Sequence, residues 1–370
     1  MDRKLKIRLL RLTAPVGAVL FAVLLSSVFL IAIDKNPLTV YLTMLAFGLG
    51  RMDSIAAILF NATPLIFSGL AVAISFKAGM FNIGVEGQYF IGAVCAAWVG
   101  FAMPGLPAVV HIPLTLLAAM TGGMLWALVP VYLKVKRGVH EVISTIMLNY
   151  VAYSLVHYLI ADLFMDHNQK IPEGLGSALI RTPKFLESAM MPTIHAFMAL
   201  WGVELPGYIY VNWFLMLALV VAAGVGYLLN RTPLGYELRA VGHNPLSAEA
   251  AGIRTETVYI KTFLLSGAIA GLTGLSHLLV FYEYMDLDFP KNFGFNGIAV
   301  ALIGGNHPMG IVLAALLFGF LSRGAEGVQT ILGVPMDAVV IMQGIIILSV
   351  VVVAGILGRY LRRLEKKEAP

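Results

Sequence analysis

Polar side chains interrupt an apolar stretch of this 370-residue chain within GMFNIGVEGQ, at residues 79–88. Asn82, Glu86 and Gln88 place an acid and two amides there, and the neighbouring glycines permit a break or close packing. A carboxylate at the centre of a bilayer costs about 2.5–3.5 kcal/mol, so it normally faces a cavity or a partner group. Two interpretations are open: these residues line or support a translocation pathway, or the run is a solvated turn at the inner surface.

Two further amides lie in apolar stretches. Asn61 precedes Pro64, and a proline frees a backbone carbonyl one turn back in a helix, so Asn61 could line a kink. Asn149 could hydrogen-bond between helices, which is the commoner role of an amide in lipid. We group both with Asn82, Glu86 and Gln88 as candidate pathway residues.

Patterns for catalysis and metal binding are absent from the sequence. No glycine–lysine pair occurs, so there is no phosphate-binding loop of the G-x-x-x-x-G-K-[ST] type. Neither G-x-S-x-G nor H-E-x-x-H occurs, and His157 and His277 have no second ligand at metal-binding spacing. We therefore expect no enzyme, no catalytic residue, no metal site and no cofactor in this chain. If ATP drives transport, another subunit must bind the ATP and its Mg²⁺.

The composition is that of an integral membrane protein. Apolar types make up 59% of the residues and charged types only 12%, against roughly 25% charged in soluble domains. The net charge of +5 gathers at the termini and in loops, which argues against nucleic-acid binding. Cys95 is the only cysteine, so an internal disulfide is excluded.

Segments of about 20 apolar residues predict membrane-crossing helices. They lie at 12–33, 55–76, 81–102, 110–133, 141–163, 210–230, 258–281, 293–304, 309–325 and 337–357. The eighth is short enough to be tilted, broken or re-entrant. The first is longer than a signal-peptide core and lacks a small-residue cleavage site, so we expect it to be retained.

Basic residues predict the orientation. They cluster at 3–11, 134–137, 231–254 and 359–367, which fall on one face if there are ten crossings. The positive-inside rule makes that face cytoplasmic. The sequence therefore predicts a multi-pass protein of the cytoplasmic membrane with both termini inside the cell.

We interpret the chain as one transmembrane domain over residues 1–370. Its parts are the first span 12–33, a helix group 55–163, an extracytoplasmic segment 164–209, a cytoplasmic loop 231–257 and a second helix group 258–357. The extracytoplasmic segment contains several prolines and Trp201, which suits a surface helix, a platform for another protein or a structured loop. A Ser-Gly pair at 68–69 recurs at 266–267, a weak sign of an inverted repeat.

The polar stretch from Arg231 to Lys261 reads as two short capped helices. The expected caps are Thr232, Pro233 and Gly242 for the first helix, and Asn244, Pro245 and Gly252 for the second. Leu246, Ala250 and Ile253 form an apolar stripe at helical spacing. A helix this short needs tertiary packing, so it is either a coupling helix that docks into a cytosolic partner or an ordinary connecting loop.

Four ordered segments together resemble a known family. They are FNIGVEGQYFIGA (81–93), KRGVHEVISTIMLNYVA (136–152), LGYELRAVGHNPLSAEAAGI (234–253) and FGFNGIAVALIGGNHPMGI (293–311). They are similar to permeases of ATP-binding cassette (ABC) importers, in the subgroup for branched-chain amino acids, ribose and simple sugars. The resemblance is nearest to the longer permease of nucleoside importers that work with a basic membrane lipoprotein.

This resemblance implies partners and site residues. The partners are cytosolic ABC ATPase subunits, a second and shorter permease, an extracytoplasmic substrate-binding lipoprotein and membrane lipid. Glu249-Ala250-Ala251-Gly252 resembles the family's EAA-type signature, which favours the docking interpretation. The implied ATPase-coupling residues are Gly235, Glu237, Asn244, Leu246, Glu249, Ala250 and Gly252.

The expected fold is all-α and polytopic, with about ten transmembrane helices, an inverted-repeat core and cytoplasmic coupling helices. The expected function is that of the permease subunit of an ATP-driven nucleoside importer. A permease for simple sugars is the alternative. An ion-coupled carrier would need Glu86 or His277 to titrate within the membrane, and a scaffold that transports nothing would not need the polar, broken spans.

Overall fold

The computed structural model describes residues 17, 20–169, 179–195 and 211–366. This part of the chain is mostly helical, and its only β-structure is two isolated bridges, Arg181 with Asp286 and Thr193 with Asn212. The all-α expectation is therefore confirmed for the described residues.

The helices of the described residues are numbered in chain order. They are α1 (Leu20–Ala32), α2 (Pro37–Leu49), α3 (Met52–Lys77), α4 (Val85–Ala102), α5 (Ala108–Arg137), α6 (Glu141–Tyr158), α7 (Trp213–Arg231), α8 (Pro233–His243), α9 (Pro245–Ala250), α10 (Thr255–Gly271), α11 (Phe293–Ile303), α12 (Pro308–Leu332) and α13 (Met336–Lys366). Short π-helical turns extend α6 to Leu163 and, after Leu275–His277, α10 to Tyr282.

Seven helices of the described chain are long and apolar enough to cross a membrane. They match seven of the predicted spans, although α4 begins at Val85 and leaves residues 81–84 in a turn. The bent pair α1 and α2, at 116°, could make an eighth span. The total of ten crossings and the inverted repeat stay predictions.

Helix α2 was not predicted. Its start has a local signal, because the Asn36 side chain accepts a hydrogen bond from the Leu38 N–H and Pro37 takes the first helical position. Its 13 residues fall short of the length that a crossing requires, so a search for spans misses it.

Residues Leu59–Leu316 form one compact unit. Its centre is the packing of α4, α5 and α10, where small residues allow the helix backbones to touch. Gly267 lies against the backbone of Gly123, and a β-carbon on Gly267 would also be 2.6 Å from Ala127. Helices in lipid gain their contacts by such close approach.

The second unit comprises Met1–Ile58 and Leu317–Pro370. Its apolar cluster includes Leu30, Val40, Met44, Leu321 and Val328. Beside this cluster runs an ion-pair network that sequence reasoning missed. Arg323 donates to Glu326 at 2.6 Å and to Asp53 at 3.4 Å, and its guanidinium lies 4.6 Å from the Phe47 ring centroid.

The described parts of segment 164–209 contain one short 3-10 helix, Glu187–Ala189, and pair with the loop that follows α10. The Thr182 N–H donates to the Met285 carbonyl at 2.8 Å, and the Phe185 N–H donates to the Glu283 carbonyl at 2.8 Å. Trp201 lies outside the described residues, and the role and orientation of the segment stay predictions.

Candidate functional site

The carboxylate of Glu86 is the centre of a buried hydrogen-bond network. Glu86 is the second residue of α4 and is 0% exposed. Its Oε1 accepts from the Tyr153 hydroxyl at 2.7 Å and from the Asn292 N–H at 2.6 Å. The Tyr89 hydroxyl lies 3.1 Å from Oε1 and shares its one hydrogen with the Pro290 carbonyl at 2.8 Å. The Glu86 Oε2 accepts from the Gly294 N–H at 2.8 Å. The alternative interpretation, in which Glu86 is solvated in a turn at the inner surface, is therefore wrong.

These donors explain how a carboxylate can be buried here. Asn292 is the N-cap of α11, with φ of 74°, and Gly294 is in the first turn of that helix. A helix N-terminus carries a partial positive charge and unpaired N–H groups, which favour an anion. Hydrogen bonds to an ionised group also offset its loss of water. Glu86 therefore fixes the start of α11 against α4 and α6.

An amide network adjoins Glu86. The side chains of Asn82 and Gln88 exchange two hydrogen bonds, at 3.0 and 3.1 Å, and Asn82 Nδ2 also donates to Ser266 Oγ at 2.9 Å. Ser266 in turn donates to the Ala71 carbonyl at 2.7 Å. The network therefore ties the turn before α4 to α3 and α10.

Asn149 of α6 completes the arrangement. Its Oδ1 accepts from the Gly87 N–H at 2.8 Å and its Nδ2 donates to the Ile83 carbonyl at 3.0 Å. The structure thus brings together four of the five candidate pathway residues, and all four are at most 1% exposed. Asn61 is partly exposed on α3 and is not among these bonded residues. Their role in a pathway stays a prediction.

Sequence reasoning missed the partners Tyr153, Ser266 and Asn292. One of them had a local signal: Tyr153 follows Asn149 by four residues, so both side chains lie on one face of α6. Asn292 and Ser266 had none, since their partners are 206 and 184 residues away in the chain.

The two short helices predicted between Arg231 and Lys261 are present as α8 and α9, and their coupling role stays a prediction. Thr232 Oγ1 accepts from the Gly235 N–H at 3.1 Å, and Asn244 Oδ1 accepts from the Ser247 N–H at 3.2 Å. Gly252 has φ of 86°, the left-handed conformation that ends a helix. The expected caps Thr232, Asn244 and Gly252 are therefore confirmed.

The expected role of Gly242 is wrong. Helix α8 runs on to His243, so Gly242 lies within it instead of past its end. Its backbone packs against Lys77 and Gly79 at the turn after α3, where a β-carbon would clash with the Lys77 carbonyl oxygen. Glycine is needed here for close approach.

The apolar faces of the two helices differ in exposure. In α8, Leu238 and Val241 are both 0% exposed, so this helix is docked within the chain. In α9, Leu246 is 78% exposed and Ala250 is exposed, while Ile253 is half-buried. Within the described ranges, Leu246 and Ala250 of the α9 stripe are thus left uncovered.

The remaining candidate coupling residues support that surface. Gly235 is buried against the last turn of α7, and Glu237 is partly exposed. Glu249 accepts a hydrogen bond from the Thr255 hydroxyl. A surface hollow of about 550 Å³ follows α9 and is lined by residues 249 and 252–257. Among the described residues, no group of three His, Cys, Asp or Glu side chains is placed to hold a metal.

Comparison with known proteins gives a consistent result. Residues 54–351 match the family described as the permease component of branched-chain amino acid transport systems. Guanosine ABC transporter permease protein NupP of Bacillus subtilis is 37% identical over 93% of this chain and 94% of its own length. Glucose ABC transporter permease protein TsgB13 of Haloferax volcanii is 34% identical over 91% and 86%. Nucleoside ABC transporter permease protein NupB of Lactococcus lactis is 31% identical over 92% and 91%.

Proposed function

The chain belongs to the family of branched-chain amino acid transport system permease components, and from that premise we propose that it imports nucleosides as one subunit of an ATP-driven transporter. The relatives named above are ABC transporter permeases, and two of the three are named for guanosine or nucleosides. The relative named for glucose supports simple sugars as a second candidate solute.

One observation carries the choice of energy source. The apolar stripe of α9 is exposed, although its helix is fixed by an N-cap and a left-handed glycine. Burying a leucine side chain is worth roughly 1.5–3 kcal/mol, so this surface is suited to a protein partner. We assign that partner as a cytosolic ABC ATPase, which binds ATP and Mg²⁺ and moves α9 when it closes.

The rest of the assembly is proposed from the ABC transporter relatives. We propose that a substrate-binding lipoprotein delivers the solute to the extracytoplasmic face. A second, shorter permease would supply the other half of the pathway. In this scheme both termini of the chain and α8–α9 lie in the cytoplasm of a multi-pass inner-membrane protein.

The Glu86 and Asn82 networks suit a supporting role. Their side chains have protein partners, so in this conformation they hold the wall of a pathway instead of facing a solute. Alternating access then requires α4, α10 and α11 to move with this polar cluster.

The docking proposal is tested by Leu246→Asp. A charge at Leu246, the first residue of the stripe, would have to be buried in the contact without a partner, which is costly. We expect ATP-dependent nucleoside uptake by intact cells to fall by at least tenfold, with the chain still present in the membrane. The matched control is Ser247→Asp, which puts the same charge one residue later in the first turn, where an acid is tolerated. Normal uptake in Leu246→Asp cells would refute the docking assignment.

A further inference from the structure

A small cavity adjoins the Glu86 network on the side of the extracytoplasmic segment. Its volume is about 210 Å³, and it lies between α4, α6 and the loop before α11. Two aromatic side chains form one wall: Phe90 and Tyr153, whose ring centroids are 4.8 Å apart and perpendicular. Asp286, Lys291 and His157 add polar groups. The cavity therefore combines apolar faces with a few polar groups, as ligand sites do.

Asp286 supplies a carboxyl group to this cavity, and one of its two oxygens has no hydrogen-bond partner. Its Oδ1 is inaccessible to solvent and has no hydrogen-bond partner. Burial raises the pKa of the Asp286 carboxyl above its usual range, and the neighbouring Asp288 charge adds to this. Because Oδ1 is closed to a water-sized group, a ligand hydroxyl in the cavity would donate to the other oxygen of the Asp286 carboxyl.

The position of Asp286 is fixed by its neighbours. Thr182 and Met285 exchange two hydrogen bonds, of 2.8 and 3.0 Å, and the backbones of Arg181 and Asp286 form an isolated β-bridge. The backbone that carries the Asp286 side chain is thus held in place by residues 181–182. A backbone that is fixed before binding lowers the cost of ordering the site.

We propose that this cavity is a subsite for the pentose of a nucleoside, with ribose hydroxyls donating to Asp286 and the apolar sugar face against Phe90 and Tyr153. This inference rests on the proposed function. A cavity of about 210 Å³ is below the roughly 300–1,000 Å³ of sites that enclose a whole drug-sized ligand, so the base extends out of it. Lys291 is exposed and His157 is also exposed at that open side.

Occupancy of this subsite would reach the Glu86 network directly. Tyr153 lines the cavity with its ring and donates its hydroxyl to Glu86 at 2.7 Å. A sugar packed on that ring therefore contacts the group that helps to hold the start of α11. Selection of the solute and the movement of α11 would share one side chain.

The first test measures occupancy by chemical protection. Leu287 lines the cavity, so Leu287→Cys in a Cys95→Ser background places a single thiol there. In cells that contain the whole importer, guanosine is expected to slow its reaction with a membrane-impermeant methanethiosulfonate reagent at least fivefold. The 2′,3′-dideoxy analogue should not slow it, and adding Asp286→Asn should remove the protection. Glu283→Cys, in the same loop but outside the cavity, is the control.

The second test is uptake, which does not depend on thiol accessibility. Asp286→Asn is expected to lower the maximal rate of guanosine uptake about tenfold, and Asp286→Glu should restore part of it. Glu283→Gln removes an exposed carboxylate that pairs with Lys184 at 2.9 Å, and it should leave uptake unchanged.

The outcomes separate the two proposals. If wild-type cells take up guanosine with ATP but Asp286→Asn does so equally well, the subsite is wrong and the importer proposal stands. If free ribose protects the thiol and guanosine does not, the pentose is not that of a nucleoside and the subsite proposal is overturned. If wild-type cells show no ATP-dependent guanosine uptake, the proposed function itself fails.

Discussion

Two regions of the unit Leu59–Leu316 differ in which side chains they bury and which they expose. Around Glu86, polar groups are buried, and three donors and the shared Tyr89 hydroxyl surround one carboxylate. On α9, an apolar side chain, Leu246, is 78% exposed. The first region breaks the rule that charges stay outside and the second breaks the rule that leucine stays inside.

The difference shows which side chains find their partners within this chain. The Glu86 region draws all of its partners from α4, α6 and α11, so its stability depends on this chain. On α9 the caps are present, but none of the described residues covers Leu246, and in our proposal another protein does. The two are close in the fold, because Gly242 of α8 packs on the turn that leads from α3 to Asn82. Movement imposed on α9 would thus arrive beside the polar cluster.

The largest effect on stability is expected from substitutions of Glu86 in the buried polar region. Glu86→Ala removes the acceptor of the Tyr153 hydroxyl and of the Asn292 and Gly294 N–H groups, and losing one member of a buried charged group typically costs about 3–5 kcal/mol. Glu86→Gln keeps one acceptor oxygen and should cost less, about 1–3 kcal/mol. Both are measured as the free energy of unfolding of the purified chain.

A matched control uses an exposed glutamate of the same unit. The Glu256 side chain is 62% exposed and pairs with Lys136 at 3.4 Å, so Glu256→Gln should change the unfolding free energy by about 0.5 kcal/mol at most. Equal losses from Glu86→Gln and Glu256→Gln would show that the buried network contributes no special stability.

Two glycines of the coupling segment sharpen the comparison. Gly242→Ala forces a methyl group against the Lys77 carbonyl, and such overpacking costs about 1–3 kcal/mol. Gly252→Ala meets open space but must adopt φ of 86°, which costs about 1–2 kcal/mol. We expect Gly242→Ala to lower the melting temperature more. The reverse order would mean that α8 is not packed tightly on the turn after α3.

The features that could be predicted from sequence depend on neighbours along the chain. Thr232 and Asn244 cap their helices by contacts three residues long, and the crossing helices follow from runs of apolar residues. The same local logic failed for Gly242. A glycine near a helix end looks like a cap, and only the approach of Lys77 shows that it is an interior contact.

The features that could not be predicted depend on distant segments. Asn82, Glu86, Gln88 and Asn149 were selected because polar groups in an apolar run require an explanation. The sequence left open whether these groups face a pathway or bond to other parts of the protein. A partner such as Asn292, 206 residues beyond Glu86, cannot be found from neighbouring residues. The Asp286 cavity was missed for the same reason: its lining comes from three separate stretches.

The smallest effect concerns Asp286. Its Oδ1 is buried, like the polar groups around Glu86, but has no hydrogen-bond partner. Because the pKa of this carboxyl is raised in the fold, the folded chain binds more protons than the unfolded chain just above the ordinary pKa of aspartate. Stability should therefore fall slightly as pH rises through that window, and the fall should be absent in Asp286→Asn.

Uptake should respond in the opposite direction, because the ionised carboxylate is the better acceptor for a ribose hydroxyl. Acidification should thus slow guanosine uptake in the wild type at a higher pH than an ordinary aspartate would allow. Asp288, Arg181, Lys291 and His157 surround the same carboxyl and also titrate or carry charge, so the decisive comparison is with Asp286→Asn in the same cells. If uptake by Asp286→Asn cells fell on acidification as much as in the wild type, the fall would come from one of those neighbours. Asp286 would then have no role in solute binding.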